Sequence, residues 1–232
     1  MKKQTKRYKQ NIYFEEDSND NFSFIAGYTD GGAPYGMTWE EIIPQDLRFR
    51  AALKKDAEKA AELIHIAIAD IAEKLTGQTK NENIRETLAH FFREENNRLS
   101  YKNTIVADIL GEAAGIVITY PGEAASRLDE PILKRLRKKR QNEEIFLDKE
   151  ADEGDFYVDT LCVADRFRGN GIGSKLLKEA EKTALQKGYS RLSLNVAQDN
   201  PHAKKVYERI GYRKDKVIEI NEHPYDYMVK IL

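Results

Sequence analysis

The chain has 232 residues, 41% apolar and 33% charged, with a formal net charge of −1. That is enough chain to bury a core without metal or disulfide help, and too balanced in charge to bind a polyanion through its overall field. A single cysteine, Cys162, excludes a disulfide framework and a multi-cysteine zinc site.

Residues 1–46 form an appendage in composition. The start, MKKQTKRYKQNIYF, is basic but leads into no apolar signal core. Together with the absence of any apolar run long enough for a bilayer, this predicts a cytoplasmic protein with no membrane partner. Asp30-Gly31-Gly32 and Pro34-Tyr35-Gly36 are turn signals between short aromatic runs, which predict a hairpin or loop, with Phe22, Phe24 and Trp39 as docking groups.

From residue 47 the pattern becomes regular. LRFRAA reads as a strand. Asp56 caps a helix whose stripe is Ala60, Leu63, Ile64, Ala67, Ile68 and Ile71, stopped at Gly77. ENIRETLAHFFREE is a second helix, and TIVADI and AAGIVITY are strands around Leu110-Gly111-Glu112. Residues 121–152 are a charged insert with one helix, ILKRLRKKRQNEE. DFYVDTLCV is a strand, and a helix runs from about Gly173 to Lys187. RLSLNVA is a strand, Asn200-Pro201 opens a helix closed by Gly211, and KVIEI and YDYMVKIL end the chain as strands. The order is that of an α/β protein with a mixed sheet.

The chemistry concentrates where DFYVDTLCV meets Arg168-Gly169-Asn170-Gly171-Ile172-Gly173. A glycine turn between strand and helix lets the backbone approach a ligand, and the first helical amides suit a phosphate. Alone, the turn is a weak signal. It lies late for a dinucleotide fingerprint, the next strand ends without an acid, and no Gly-Lys-Ser/Thr follows. Strand alternation puts Tyr157, Asp159, Leu161 and Val163 on one face, and Phe156, Val158, Thr160 and Cys162 on the other.

The runs DFYVDTLCVADRFRGNGIGSKLL and RLSLNVAQDNPHAKKVYERIGYRK closely resemble the GCN5-related N-acetyltransferase (GNAT) superfamily. Arg168, Gly171 and Gly173 fit its Arg/Gln-x-x-Gly-x-Gly/Ala pattern, and Asn200-x-x-Ala203-x-x-x-Tyr207 follows at the family spacing. The resemblance covers residues 47–232. It implies the GNAT acyl-CoA N-acyltransferase fold, with a mixed, mostly antiparallel central sheet flanked by helices, and acetyl-CoA as co-substrate without a metal.

By the same resemblance, Leu161, Cys162 and Val163 would meet the pantetheine arm, and the Val163 amide would hold the developing oxyanion. Arg168, Gly169, Asn170, Gly171, Ile172, Gly173 and Ser174 would cradle the pyrophosphate. Asn200 would lie near the pantetheine. Tyr207 would protonate the departing thiolate, against a bland alternative as a core aromatic beside Val206 and Ile210. Asp159 is the candidate base or ammonium anchor, against a carboxylate satisfied by turn amides or a salt bridge; Tyr157 and Glu153 are weaker candidates, and water could carry the proton outward.

The implied reaction is N-acetylation of a primary amine by direct attack in a ternary complex. The alternative is a catalytically silent acyl-CoA-binding module. Family acceptors include peptide N-termini, lysines, polyamines, aminoglycosides and small amines, so the partner is a small-molecule or peptide amine. The acidic stretch 148–159 suits a cationic acceptor. Family members are commonly homodimers. Cys162 reads as an apolar filler rather than an acetyl carrier, and His65, His90, His202 and His223 have no metal spacing. The basic run from Lys134 to Arg140 reads as a solvated helix face, against contact with RNA, the coenzyme 3′-phosphate or an acidic partner, and no nucleic-acid partner is expected of it.

Overall fold

The computed structural model describes residues 22–29, 31–38, 46–139 and 145–232. The basic start, Trp39 and the far end of the helix expected in the insert lie outside them. The chain divides into two compact units, Met1–Leu47 and Arg48–Leu232. In the first, β1 (Phe22–Tyr28) and β2 (Pro34–Thr38) pair antiparallel, and the Gly32 amide donates to the Thr29 carbonyl at 2.8 Å to close the turn.

The larger sheet has seven strands: β3 (Leu47–Ala51), β4 (Thr104–Ile109), β5 (Glu112–Pro121), β6 (Phe156–Val163), β7 (Arg191–Ala197), β8 (Arg213–Ile220) and β9 (His223–Ile231). Their order across the sheet is β3-β4-β5-β6-β7-β9-β8. Only β6 and β7 pair parallel among the ladders β4/β5, β5/β6, β6/β7, β7/β9 and β8/β9, because a helix crosses over between them. The helices are α1 (Ala57–Ile68), α2 (Ile71–Thr76), α3 (Asn81–Arg93), α4 (Ala125–Lys139), α5 (Ile172–Gln186) and α6 (Pro201–Arg209).

Apolar periodicity accounts for how these pack. Leu63 and Ile64 of α1, Leu88 and Phe92 of α3, and Leu176, Leu177 and Ala180 of α5 are buried with Val117, Ile118 and Leu194 of the sheet. Leu185, expected on the α5 stripe, is 56% exposed.

Two helices differ from the sequence expectation. The first was read as continuous through Ile71, but it breaks at Ala69, whose φ is 43°. Asp70 then accepts a hydrogen bond from Asn221 Nδ2 at 2.6 Å, a contact 151 residues away in sequence that no local periodicity contains. The insert helix begins at Ala125, not beyond Pro131. Leu128, Ile132 and Leu136 are buried along one stripe, and that burial carries the helix through an interior proline.

Residues 145–155 have no regular structure, yet they are pinned to the end of β5. The Gly122 amide donates to the Asp155 carbonyl at 2.8 Å, and a Cβ on Gly122 would stand 1.9 Å from the Asp152 carbonyl oxygen. No side chain fits there without moving backbone. Gly122→Ala is therefore expected to destabilise the protein by about 1–3 kcal/mol, the usual cost of overpacking, read as a lowered urea midpoint. An unchanged midpoint would show that residues 152–155 are not docked on Gly122.

Candidate active site

β6 is the strand around which the site is built. Its register with β5 shifts between Ile118↔Thr160 and Thr119↔Val158, so Asp159 is the extra residue of a β-bulge. Its pairing with β7 stops at Val158↔Leu194, although β6 continues to Val163 and β7 to Ala197. A gap thus opens between the two parallel strands just past the bulge.

The Ala164 amide donates to the Ala114 carbonyl of β5 at 2.9 Å. Successive residues of a strand point their backbone groups to opposite edges, so the Val163 and Leu161 amides face the gap. The Val163 carbonyl on that same edge accepts from Arg168 Nε at 3.1 Å. Arg168 also pairs with Asp165 at 2.9 Å, which ties the turn to the strand end.

The turn enters α5 through Gly171, whose φ of 70° lies in the left-handed region and which no side chain crowds. The first intrahelical bond of α5 runs from Lys175 N–H to Gly171 C=O at 3.1 Å, so the amides of Ile172, Gly173 and Ser174 are unspent. They stand at the positive end of a 15-residue helix.

Leu161, Val163, Arg168, Gly169, Gly171, Ile172, Gly173 and Ser174 line one cavity of about 460 Å³, closed opposite by His202, Ala203, Val206 and Tyr207 of α6. The Tyr207 phenol is pushed up to about 12 by burial, so it stays protonated through neutral pH. Asn200 is the cap of α6: its side-chain oxygen accepts from the Ala203 amide at 3.1 Å. Asn170 Nδ2 likewise bonds within the turn, to the Phe167 and Arg168 carbonyls. Cys162, 6% exposed, sits on the face away from the cavity residues, and burial pushes its thiol up.

Asp159 is not a free carboxylate. Its Oδ2 accepts from Arg98 Nε at 2.7 Å and from the Tyr120 hydroxyl at 2.5 Å, and its Oδ1 accepts from Thr160 Oγ1 at 2.9 Å. Of the readings open from the sequence, the salt-bridged carboxylate is the one this geometry favours.

Arg98 was missed by the sequence reading. It is 3% exposed, and it also meets Glu150 at 2.7 Å and Asp129 at 3.4 Å. Burial opposes its charge, but Asp159 and Glu150 outweigh that and hold the guanidinium firmly ionised. Glu150 accepts further from the Tyr157 hydroxyl at 3.0 Å, which in turn accepts from Asn195 Nδ2 at 2.9 Å across the sheet on β7. Burial holds the Tyr120 and Tyr157 phenols well above their ordinary range. Three carboxylates around one guanidinium leave negative charge in excess. The consequence falls on Asp129, whose carboxyl is raised to about 6, by burial first and by the neighbouring carboxylates Glu150 and Asp159.

Among the described residues no helix is long and apolar enough to cross a membrane, and no group of three His, Cys, Asp or Glu could hold a metal ion. The sequence profile described as the Acetyltransferase (GNAT) family matches residues 68–212. A solved structure described as an acetyltransferase is 33% identical, with a TM-score of 0.68 over 79% of this chain and 98% of its own. An N-acetyltransferase from Staphylococcus aureus Mu50 is 23% identical and has the same fold, with a TM-score of 0.68 over 78% of this chain and 99% of its own. The thialysine N-epsilon-acetyltransferase of Bos taurus is 40% identical over 55 residues, 24% of this chain and 32% of that enzyme. The match thus spans about a third of that relative's length.

Because the folded protein binds the Asp129 proton more tightly than the unfolded chain, Asp129 contributes stability below about pH 4 and loses it as the pH rises through about 6. Asp129→Asn removes that loss. The variant is expected to be more stable than the parent at pH 7 by about 1–3 kcal/mol, with the difference vanishing near pH 4. Urea unfolding at the two pH values checks it, and a variant less stable at pH 7 would contradict it.

Proposed function

The chain belongs to the GNAT acetyltransferase family, and from that premise we propose that its larger unit is an acetyl-CoA-dependent N-acetyltransferase acting on a primary amine. The observation that carries this reading is the gap between β6 and β7, with unspent helix amides at one end and a protonated phenol across from it. We take residues 47–232 as the catalytic domain, 1–46 as its appendage and 121–152 as a charged insert, and the cytoplasm as the location.

The cavity residues fit the coenzyme. The amides of Ile172, Gly173 and Ser174, with the turn from Arg168, bind the pyrophosphate through the partial positive charge of the helix start. The edge amides of Leu161 and Val163 would hold the pantetheine arm in the gap. The chain does the rest by placement. The amine nitrogen attacks the thioester carbonyl carbon, and the oxyanion that forms is held by the Val163 amide. The carbon–sulfur bond then breaks, and Tyr207 donates its proton to the sulfur. A phenol raised to about 12 remains a donor here because the enclosure that raises it also raises the basicity of the thiolate beside it. The proton lost by the amine passes to water.

Asp159 serves this reaction as a positioning residue. Its carboxylate is committed to Arg98, Tyr120 and Thr160, and it sits on the bulge that opens the gap. It therefore fixes where Leu161 and Val163 point.

Release of coenzyme A from acetyl-CoA, followed over a panel of primary amines, tests the activity. Failure of every amine together with tight coenzyme binding would favour a silent acyl-CoA-binding module instead. Tyr207→Phe is expected to lower kcat about 100-fold, the scale of a lost general acid, with the Kd for coenzyme A unchanged. An unchanged kcat would remove Tyr207 from the chemistry. Asp159→Asn is expected to raise the KM for acetyl-CoA about tenfold, about 1.4 kcal/mol of binding, while the pH profile of kcat keeps its shape. Loss of that profile's acid limb would make Asp159 the base instead.

A further inference from the structure

The acetyl-transfer reading leaves the basic run on α4 unused. The structure divides that run in two. Arg137 pairs with Glu130 of its own helix at 3.0 Å, and Lys139 donates to the Gly77 carbonyl just past α2. Lys134, Arg135 and Lys138 make no ion pair with any described residue.

Spaced i, i+1, i+4, these three share a helix face, and with His90, Phe91 and Pro131 they line a groove of about 370 Å³ between α3 and α4. The groove shares no lining residue with the cavity at the glycine turn. Among its described lining residues the one carboxylate is Glu94, against three permanent cations, in a chain whose net charge is −1. Arg135 lies over the Phe91 ring, 5.9 Å from its centroid, which fixes the guanidinium plane at the wall.

This differs from a convex, solvated helix face in two ways. A concave wall concentrates the field of its charges. Cations one helical turn apart, with no ion-pair partner among the described residues, also repel each other, a cost that a bound anion removes. The spread of the three cations calls for a multivalent ligand, and a guanidinium fork beside two ammonium groups matches phosphate oxygens.

We propose that the α3–α4 groove is a binding site for a small oligophosphate anion, held by Lys134, Arg135 and Lys138 and separate from the coenzyme cavity. The ligand is either an inorganic phosphate chain or the phosphate tail of a nucleotide.

The test uses the full chain with saturating coenzyme A, so that the glycine turn is occupied, and titrates inorganic tripolyphosphate by calorimetry. One site is expected, with an affinity that falls as salt rises. Replacing Lys134, Arg135 and Lys138 together by Gln should weaken it at least tenfold, with coenzyme affinity unchanged and no loss of melting temperature, since all three side chains are exposed. A parallel titration with ATP separates the sources: tighter binding than tripolyphosphate assigns the site to a nucleotide, equal binding to the phosphate chain alone. No binding of either probe, or equal binding by parent and triple variant, overturns the proposal. The triple variant keeps this result distinct from a failure of the acetyl-transfer reading, because a phosphate probe held at the glycine turn would not sense α4.

Discussion

The bulge in β6, and with it the gap beside β7, rests on one buried guanidinium. Arg98 follows α3 and is met by Asp129 from α4, Glu150 from the irregular segment and Asp159 from β6. Those four residues come from four stretches of chain with no sheet ladder in common. An unpaired charge at that depth would cost several kcal/mol, so each carboxylate is held to the guanidinium and the guanidinium to all three. The cluster fastens the irregular segment over the end of the sheet and fixes the bulge in β6. The gap beside the bulge then follows from strand geometry: once Asp159 is inserted, β6 turns away from β7 and leaves two amides facing outward.

The glycine-turn side of the cavity is governed by a different constraint, close backbone approach. Gly171 takes a left-handed φ at the helix start, and the amides behind it are free only because α5 begins there. Arg168 contributes less as a charge than as a strut, since its Nε reaches back to the Val163 carbonyl. The same tether keeps that carbonyl from competing with the Val163 amide for the space in the gap. The turn and the strand are thus one rigid piece, 11 residues from Val163 to Gly173.

How much of this was legible in the sequence follows from that difference in range. The glycine turn, the strand before it and the helix after it are encoded within a short window, and periodicity with turn chemistry recovers them. Asn200 was legible as a helix start, because an Asx cap followed by proline is a local signal. Arg98 was not. It sits in a polar stretch, ENNRLS, that reads as a solvated loop, and its partners lie 31, 52 and 61 residues away. Asp159 was found by strand alternation, but alternation cannot show a bulge, and the bulge decides what its carboxylate meets. The break at Ala69 and the helix through Pro131 escaped for the same reason: in both places a distant contact overrides a local preference.

The two halves of the site therefore differ in how their specificity is stored. The turn side presents backbone amides at a helix start, which any sequence forming that turn supplies. The bulge beside the gap depends instead on side chains, a buried network of Arg98, Tyr120, Tyr157, Glu150 and Asn195 in which most polar atoms are already committed. A network so fully bonded offers little slack. Changing one member alters the hydrogen bonding of the next, so the bulge side changes by whole networks while the other side stays fixed by one turn.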